Sequence, residues 1–170
     1  MNNILFLDID GVLNSQSWLR RTKKDRVEGE TKEEHEDAHI DNSAVELVNK
    51  LCEAVNMKVV ISSTWRMRRT TEELQGILNR NGATFEVIGK TPYMSGIPRG
   101  VEIAEWLGAN TYKLFGVYDY NFNNYVIVDD DSDMLLNQAE NFFNIDQGVG
   151  ITEKTCYKIE RFLNKLKPAK

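Results

Sequence analysis

The sequence predicts an α/β fold built around a mainly parallel sheet. Short apolar runs that are typical of buried strands end abruptly in acidic or hydroxyl residues, at residues 4–7, 59–61 and 126–128. Segments with a helical spacing of apolar residues separate these runs. Because a helix between two strands carries the chain back across the sheet, this alternation favours parallel pairing of the strands.

Capping patterns and apolar stripes predict the helices. Ser43 and Glu46 form a capping-box pattern before the first long stripe, and Thr152 precedes the last stripe. Either Thr70 or Thr71 would cap a helix between them. The other predicted elements are a strand over residues 85–88, a helix that begins at Arg99 and a helix over residues 132–143.

The first strand runs directly into two acids and a glycine. Because side chains two residues apart point to the same side of a strand, Asp8 and Asp10 are expected to project together from its carboxyl end. Gly11 allows a sharp turn there. Two adjacent carboxylates repel unless they share a cation or a proton, so the pair is a candidate metal site and a candidate nucleophile with an acid partner. The plain alternative is a strand followed by an ordinary Asp-Gly turn.

Hydroxyl residues follow the second strand, at Ser62 and Ser63. Hydroxyls and free backbone N–H groups at a strand end can hold the oxygens of a phosphate group. Ser62 is favoured because it is the first polar residue after the apolar run, although the position can shift by one. Alternatively, the Ser62 hydroxyl satisfies a backbone group.

An acidic cluster follows the strand at 126–128. A hard divalent cation prefers anionic oxygen ligands, so the acids at positions 129, 130, 131 and 133 are candidate metal ligands. Asp129 is the favoured direct ligand because it follows the strand immediately.

Two cations are candidates for neutralising a bound anion. Arg99 stands at the start of a predicted helix, and Lys90 lies in a Gly-Lys-Thr-Pro segment. A fixed cation near the acids would neutralise a phosphate and its attacking carboxylate together. Each has a plain alternative: Lys90 could be a solvated loop charge, and Arg99 could be the partner of Glu102.

Four segments, DIDGVLN, ISSTWR, PRGVEIAEWL and VIVDDDSDM, resemble in this order the motifs of the haloacid dehalogenase (HAD) superfamily of phosphatases. More narrowly, they resemble the small HAD domains associated with nucleic-acid (RNA) end repair. The resemblance covers residues 4–134. It implies a three-layer, Rossmann-like HAD fold with a mainly parallel central sheet and with the cap domain absent or minimal.

The resemblance also implies a mechanism with an aspartate nucleophile. Asp8 would attack phosphorus to form an aspartyl phosphate, and Asp10 would protonate the leaving oxygen and later activate water. Ser62 and Arg99 would complete the catalytic set. Further substrate contacts are expected from four residues: Gly11, Ser63, Arg66 and Lys90.

A Mg²⁺ ion is the cofactor that the resemblance implies. Its ligands would come from Asp8, from the main-chain carbonyl of Asp10 and from one or two acids among Asp129, Asp130 and Asp133. The bound ion is expected to stabilise the fold, because it screens repulsion among these acids.

Length predicts a single domain over residues 1–170, since 170 residues suffice for one core and are too few for two ordinary domains. The segment 15–41 is short and very polar, and we expect a polar flap or a minimal cap insertion there. Such a segment leaves the site open. An open site favours a phosphate at the end of a large molecule over an enclosed small metabolite.

Local charge favours a nucleic-acid end, although the net charge of −5 argues against general affinity for nucleic acid. Basic residues follow the first two motifs and would form a rim for a phosphodiester backbone, with Trp18 or Trp65 available for stacking. Alternatively these charges are only solvated. The rim residues are Arg20, Arg21, Lys23, Lys24, Arg26, Arg66, Arg68 and Arg69.

The remaining sequence features favour a cytoplasmic enzyme. The start of the chain lacks the basic region of a signal peptide, no segment is long enough to span a membrane, and Cys52 and Cys156 show no metal-binding or redox spacing. The expected partner is a phosphorylated substrate, with nucleic-acid ends favoured, and no obligate protein partner is evident. The alternatives are a phosphatase of small metabolites (sugar phosphates or mononucleotides) and a non-catalytic HAD scaffold that binds a phosphorylated partner.

Overall fold

The computed structural model describes residues 3–22, 28–115 and 124–166. In this part of the chain, five strands form one sheet in which every pair is parallel. The strands are β1 (Asn3–Leu7), β2 (Met57–Ile61), β3 (Val87–Lys90), β4 (Tyr125–Asp129) and β5 (Phe142–Asn144). Their order across the sheet is β3-β2-β1-β4-β5, which places β1 at the centre.

Helices connect the strands. They are α1 (Gln16–Thr22), α2 (Lys32–Asp37), α3 (Asn42–Val55), α4 (Thr71–Arg80), α5 (Arg99–Phe115) and α6 (Glu153–Leu166). Short 3₁₀ helices lie at Thr64–Met67 and Leu136–Gln138. Within the described ranges, no helix is both long enough and apolar enough to cross a bilayer.

The sheet lies between two layers of helices. Leu5 and Leu7 of β1 belong to a large apolar cluster that includes the buried faces of α3, α4 and α6. Ile4 and Phe6, which point to the opposite face, join a second cluster with α5. This alternation follows from the two-residue period of a strand. The prediction of a three-layer α/β fold with a parallel sheet is confirmed.

Several predicted element boundaries are confirmed. Thr70 caps α4 and forms a capping box with Glu73. Thr152 accepts a hydrogen bond from the backbone N–H of Thr155 at the start of α6. The strand predicted over residues 85–88 is present but lies two residues later, at Val87–Lys90.

The capping box predicted for Ser43 and Glu46 is wrong. Helix α3 begins at Asn42, and its N-cap is Asp41, whose carboxylate accepts a hydrogen bond from the Ser43 N–H at 2.8 Å. Aspartate and serine are both good N-cap residues, so composition alone did not distinguish them.

The helix predicted over residues 132–143 is also wrong, because this segment contains only a short 3₁₀ helix and strand β5. Gln138 binds across to α5 by donating to the Gly100 carbonyl at 2.8 Å, and Asn141 donates to the Tyr125 carbonyl at 2.7 Å. These two buried side chains satisfy backbone groups of neighbouring elements. A continuous helix would not place both amides at those carbonyls, so tertiary contacts override local helix propensity here.

Candidate active site

The carboxyl ends of three neighbouring strands bring the predicted site residues together. Leu7 pairs with Ile61 of β2 and with Val128 of β4, so the residues that follow lie at one edge of the sheet. Two further bonds extend this ladder, from the Ser62 N–H to the Leu7 carbonyl at 2.9 Å and from the Asp8 N–H to the Val128 carbonyl at 3.0 Å. Strands β2 and β4 lie on opposite sides of β1, so the order of the strands reverses at β1. Open α/β sheets bind ligands at such a point, beyond the carboxyl ends of the strands.

Three carboxylates form a compact cluster at this edge. Asp8, Asp129 and Asp130 each offer an oxygen, and these oxygens all lie within 4.8 Å of one another. Asp8 is 5% exposed and Asp129 is 1% exposed. The Oδ2 atom of Asp129 is buried and has no hydrogen-bond partner in the described part of the chain. A set of anionic oxygens with an unsatisfied buried member fits a hard divalent cation.

Burial makes this cluster costly in its ionised form. It raises the pKa of Asp8 well above the usual range, and the charge of Asp129 raises it further. Burial also raises the pKa of Asp129 to about 7, although the Arg99 guanidinium opposes the shift. The pKa of Asp130 is raised as well, chiefly by burial. A bound cation would offset both the burial of these charges and the repulsion between them.

Gly11 makes room for the third carboxylate. Its φ of +71° lies in the left-handed region, which glycine adopts without strain. A Cβ atom at this position would lie 2.4 Å from Oδ2 of Asp130. Glycine therefore allows both the turn after β1 and the close approach of Asp130.

The Asp10 side chain lies outside the carboxylate cluster and is exposed to solvent. Its two oxygens have separate donors: Asn14 Nδ2 lies 2.8 Å from Oδ1, and Trp65 Nε1 lies 3.0 Å from Oδ2. Asn14 also accepts the Gly11 N–H at 2.9 Å, which closes the turn. The sequence prediction missed both donors, although Asn14 is part of the quoted DIDGVLN segment.

Arg99 is the predicted cation that contacts the carboxylates. Its Nη1 atom lies 3.8 Å from Asp8 Oδ1 and 3.8 Å from Asp129 Oδ2. Lys90 instead donates to the backbone carbonyls of Arg66 and Arg69, at 2.9 and 2.6 Å. Lys90 thus holds the segment after β2, and Arg99 carries the positive charge beside Asp8.

Both predicted hydroxyl residues are fully buried beside Asp8. Ser62 Oγ has no hydrogen-bond partner in the described part of the chain. The Ser63 hydroxyl lies at the start of the 3₁₀ helix, where it accepts the Trp65 N–H at 3.5 Å, and it lowers the pKa of Asp8. The Ser62 hydroxyl is therefore a buried donor that no group of the described residues uses.

A buried ion pair between Arg66 and Glu102 was missed by the sequence prediction, which considered Arg66 only as a substrate contact. Arg66 also donates from Nη1 to the Ser63 carbonyl at 2.6 Å. Glu102 accepts the Met94 N–H at 2.8 Å, and its Oε2 lies 4.0 Å from Arg99 Nε. The pair therefore connects the segment after β2 to the start of α5. Through this pair, the backbone of Ser63, which Arg66 binds, is linked to Arg99, which lies beside Glu102.

Asp133 lies outside the three-carboxylate cluster. Its exposed carboxylate accepts the Arg99 N–H at 2.8 Å, at the first residue of α5. An acidic group there is favourable, because the first N–H groups of a helix lack partners and the helix dipole is positive at that end. Asp133 therefore binds the first residue of α5, which is Arg99, and helps to hold Arg99 in place.

The aromatic residues predicted to stack on bases have other contacts. The Arg69 guanidinium lies 4.7 Å from the centroid of the Trp65 ring, and Trp65 is 7% exposed. Trp18 donates from Nε1 to the His39 carbonyl at 2.8 Å. Of the predicted basic rim, Lys23, Lys24 and Arg26 lie outside the described residues.

The site lies within a region that matches a known protein family. Residues 4–156 match the family described as the HAD domain in Swiss Army Knife RNA repair proteins. Comparisons with curated proteins and with solved structures give no match. The matched region includes β1 from its second residue, the other four strands and every candidate site residue described above. The chain therefore belongs to the family of HAD domains in Swiss Army Knife RNA repair proteins.

Proposed function

We propose that this protein is a Mg²⁺-dependent phosphohydrolase that removes a terminal phosphate from nucleic acid or nucleotides, with Asp8 as the nucleophile. The observation that carries the proposal is the meeting of the buried Asp8 carboxylate with Asp129 and Arg99 at one strand edge. The neighbouring strand ends at the same edge in Ser62, whose buried hydroxyl has no hydrogen-bond partner in the described part of the chain. This set offers an attacking oxygen, a cation and a hydrogen-bond donor in one place. Membership in a family of RNA repair domains supports the substrate class.

The first step forms a bond between an Asp8 oxygen and phosphorus while the bond from phosphorus to the leaving oxygen breaks. Asp10 donates a proton to that leaving oxygen. Arg99 and the Ser62 hydroxyl stabilise the negative charge on the other phosphate oxygens. The products are an alcohol and an aspartyl phosphate on Asp8.

The second step returns the enzyme to its starting state. A water oxygen attacks phosphorus, Asp10 accepts a proton from that water, and the bond between phosphorus and the Asp8 oxygen breaks. Inorganic phosphate leaves and both aspartates regain their original protonation. Asn14 and Trp65 support this role by holding both oxygens of Asp10.

The same residues fit a divalent cation. Asp8, Asp129 and Asp130, together with the Asp10 main-chain carbonyl, would hold Mg²⁺. When bound, the ion supplies positive charge that lets an anionic nucleophile and an anionic phosphate approach each other. Asp133 is the weaker candidate ligand, since its carboxylate already accepts the Arg99 N–H.

The surroundings of the site favour a large substrate. The segment 15–41 provides α1 and α2, and we propose that it acts as a minimal cap on a single domain over residues 1–170.

A cytoplasmic location is part of the same proposal. It is supported by the free thiols of Cys52 and Cys156, which suit a reducing compartment.

Phosphate release tests the proposal directly. We expect Mg²⁺-dependent release from an aryl phosphate and faster release from 3′- or 5′-phosphorylated oligonucleotides. Asp8→Asn should lower kcat by about a thousandfold or more, because the amide is a poor nucleophile. Asp131→Asn is the matched control: it changes an exposed acid of the segment that follows β4 and should retain activity.

Other outcomes would overturn the proposal in defined ways. Activity that persists in Asp8→Asn would exclude the aspartate nucleophile. Faster hydrolysis of sugar phosphates or mononucleotides than of oligonucleotides would favour a metabolite phosphatase. Absence of turnover on every substrate, in a folded protein with Mg²⁺, would favour the non-catalytic scaffold.

A further inference from the structure

A cavity of about 570 Å³ opens beside Asp10, on a side of the site that the carboxylate cluster does not occupy. Asp10 and Asn14 line one part of it. One wall comes from the α1 and α2 region and includes Leu19, Lys32 and His35. The other wall comes from the residues that follow β2, at 64–65 and 67–69. The cavity thus lies between the polar insertion and the second motif.

The proposed chemistry places the leaving group on this side. Asp10 protonates the oxygen that leaves phosphorus, so the leaving oxygen must come within hydrogen-bond reach of the Asp10 carboxylate. The rest of the leaving molecule is attached to that oxygen and must occupy the space next to Asp10. The cavity is that space.

The size of the cavity fits a nucleoside. Sites for drug-sized ligands span roughly 300–1,000 Å³, and the cavity falls in the middle of this range. A second cavity, beside Arg99 and Glu102, has a volume of about 130 Å³ and is too small for such a group. A cavity of about 830 Å³ beside Lys90 and Trp106 is larger, but neither Asp10 nor Asn14 lines it. Of these three cavities, the one beside Asp10 therefore combines sufficient volume with contact to the proton donor.

The lining combines apolar and cationic groups in the way that a nucleic-acid end requires. Leu19 and the exposed Met67 side chain offer apolar contact for a flat ring. Lys32, Arg68 and Arg69 are cationic, and Asp10 is the acid on the opposing part of the lining. A nucleoside that carries a further phosphodiester is complementary to this lining, because it offers a flat ring for the apolar side chains and an anion for the cationic ones.

Contacts between the two walls hold the cavity in shape. Arg69 forms an ion pair with Asp37 of α2 at 3.2 Å and covers the Trp65 ring at 4.7 Å. Asp37 also pairs with Arg80 of α4 at 3.1 Å. The wall from the insertion is thereby tied to the segment that carries the Trp65 donor to Asp10. A preformed cavity costs less ordering when a ligand binds.

We propose that this cavity binds the nucleoside that carries the scissile phosphate, with Arg68 contacting the next phosphodiester of the chain. The inference rests on the proposed function, because it uses Asp10 as the proton donor to the leaving oxygen. It assigns the substrate class to a polynucleotide end. It also assigns selectivity to the insertion and to the segment after β2.

Two variants test the cavity by different means. Leu19→Trp fills it from the α1 side, and Arg68→Gln removes an exposed charge without changing the side-chain length greatly. Lys158→Gln, an exposed lysine of α6, is the matched charge control. The measured quantity is the ratio of kcat/KM for a phosphorylated oligonucleotide to kcat/KM for an aryl phosphate, with Mg²⁺ and with both 3′- and 5′-phosphorylated strands.

The expected result is a fall in this ratio of about tenfold for Leu19→Trp and for Arg68→Gln. For Arg68→Gln, the slope of log(kcat/KM) for the oligonucleotide against log salt concentration should also decrease by about one, because one phosphate contact is lost. Lys158→Gln should keep the ratio and the slope of the unmodified protein.

Equilibrium binding supplies a readout that does not depend on turnover. Fluorescence anisotropy of an end-labelled, phosphorylated oligonucleotide would be measured with Asp8→Asn, alone and combined with each cavity variant. The Kd should rise about tenfold for each combination. The cavity assignment would be overturned if the cavity variants lost activity on the oligonucleotide and on the aryl phosphate equally, or if their Kd were unchanged. Either result would leave the proposed phosphatase activity unaffected. Absence of aryl phosphatase activity in the unmodified protein would instead overturn the proposed function.

Discussion

Trp65 Nε1 donates a 3.0 Å hydrogen bond to Oδ2 of Asp10, across 55 residues of sequence. Asn14 Nδ2 binds the other oxygen at 2.8 Å. Asp10 is exposed, and an exposed carboxylate would otherwise sample several rotamers. The two donors therefore fix the orientation of the group that we assign as the proton donor, and Trp65 links it to the segment after β2.

Trp65→Phe should lower kcat by about three- to tenfold with a smaller change in KM, because a positioned acid works only in a narrow range of geometry. Phenylalanine keeps most of the ring but removes the N–H donor. Trp106→Phe is the matched control, since both indoles are 7% exposed and Trp106 packs on Phe6 in the other apolar cluster. Steady-state kinetics and thermal unfolding would compare them. A similar loss of kcat in both variants would contradict the positioning role.

The stability of the metal-free protein should fall as pH rises from about 5 to 8. Burial raises the pKa of Asp129 to about 7 and raises that of Asp8 as well. Between the usual carboxyl pKa near 4 and these folded values, the folded protein binds more protons than the unfolded chain. Its free energy of unfolding therefore decreases with pH in this window. Thermal unfolding in the presence of a chelator should show Tm lower by several degrees at pH 8 than at pH 5.

Millimolar Mg²⁺ should restore Tm at pH 8, because the ion binds the ionised carboxylates of the folded state. Asp129→Asn should raise the metal-free stability at pH 8 by on the order of 1–3 kcal/mol and abolish the response to Mg²⁺. Asp131→Asn should keep that response. If Mg²⁺ left the Tm of the unmodified protein unchanged at pH 8, the assignment of a metal to this cluster would be refuted.

The convergence of Asp8, Ser62 and Asp129 was predictable from the sequence. Each follows an apolar run, and parallel strands place their carboxyl ends at one edge. The contacts that refine the site were not predictable in this way. Two of these contacts are the hydrogen bond from Trp65 to Asp10 and the ion pair between Arg66 and Glu102. Each joins two segments whose separation in space is fixed only by helix packing and loop geometry.

Local spacing misled the prediction where polar side chains bind distant backbone. The spacing from Asp129 to Asp133 fits a ligand pattern, but Asp133 accepts the Arg99 N–H at the start of α5. Residues 132–143 have a helical pattern, yet Gln138 and Asn141 bind carbonyls of α5 and β4. In each case a tertiary hydrogen bond decides a choice that the local sequence leaves open.

Gly11→Ala should remove metal binding. The substitution introduces strain at φ +71° and places a methyl group 2.4 Å from Asp130 Oδ2, so Asp130 must move. Gly82→Ala has the strain alone, because Gly82 has φ +91° and, apart from its own chain neighbours, no heavy atom of the described residues lies within 4 Å of the position that its Cβ would take. Both variants should lose about 1 kcal/mol of stability from the backbone. Only Gly11→Ala should also lose the rise in Tm with Mg²⁺; a retained rise would exclude Asp130 from the metal site.

Arg99 and Lys90 can be separated by their effects on activity and stability. Arg99→Gln removes the guanidinium that lies 3.8 Å from both Asp8 and Asp129, and kcat/KM should fall by about a hundredfold or more. Lys90→Gln removes bonds to the carbonyls of Arg66 and Arg69, which should cost about 1–2 kcal/mol of stability. The loss of kcat/KM should therefore be at least about tenfold larger for Arg99→Gln than for Lys90→Gln.

Thermal unfolding provides the second half of this comparison. Glutamine at position 99 leaves Asp8 and Asp129 without their shared counter-charge, so the metal-free variant should lose more stability at pH 8 than at pH 5. Lys90→Gln should show a pH-independent loss, because backbone carbonyls do not titrate. Equal pH dependence in the two variants, with equal losses of kcat/KM, would mean that Lys90 carries the charge that we assign to Arg99.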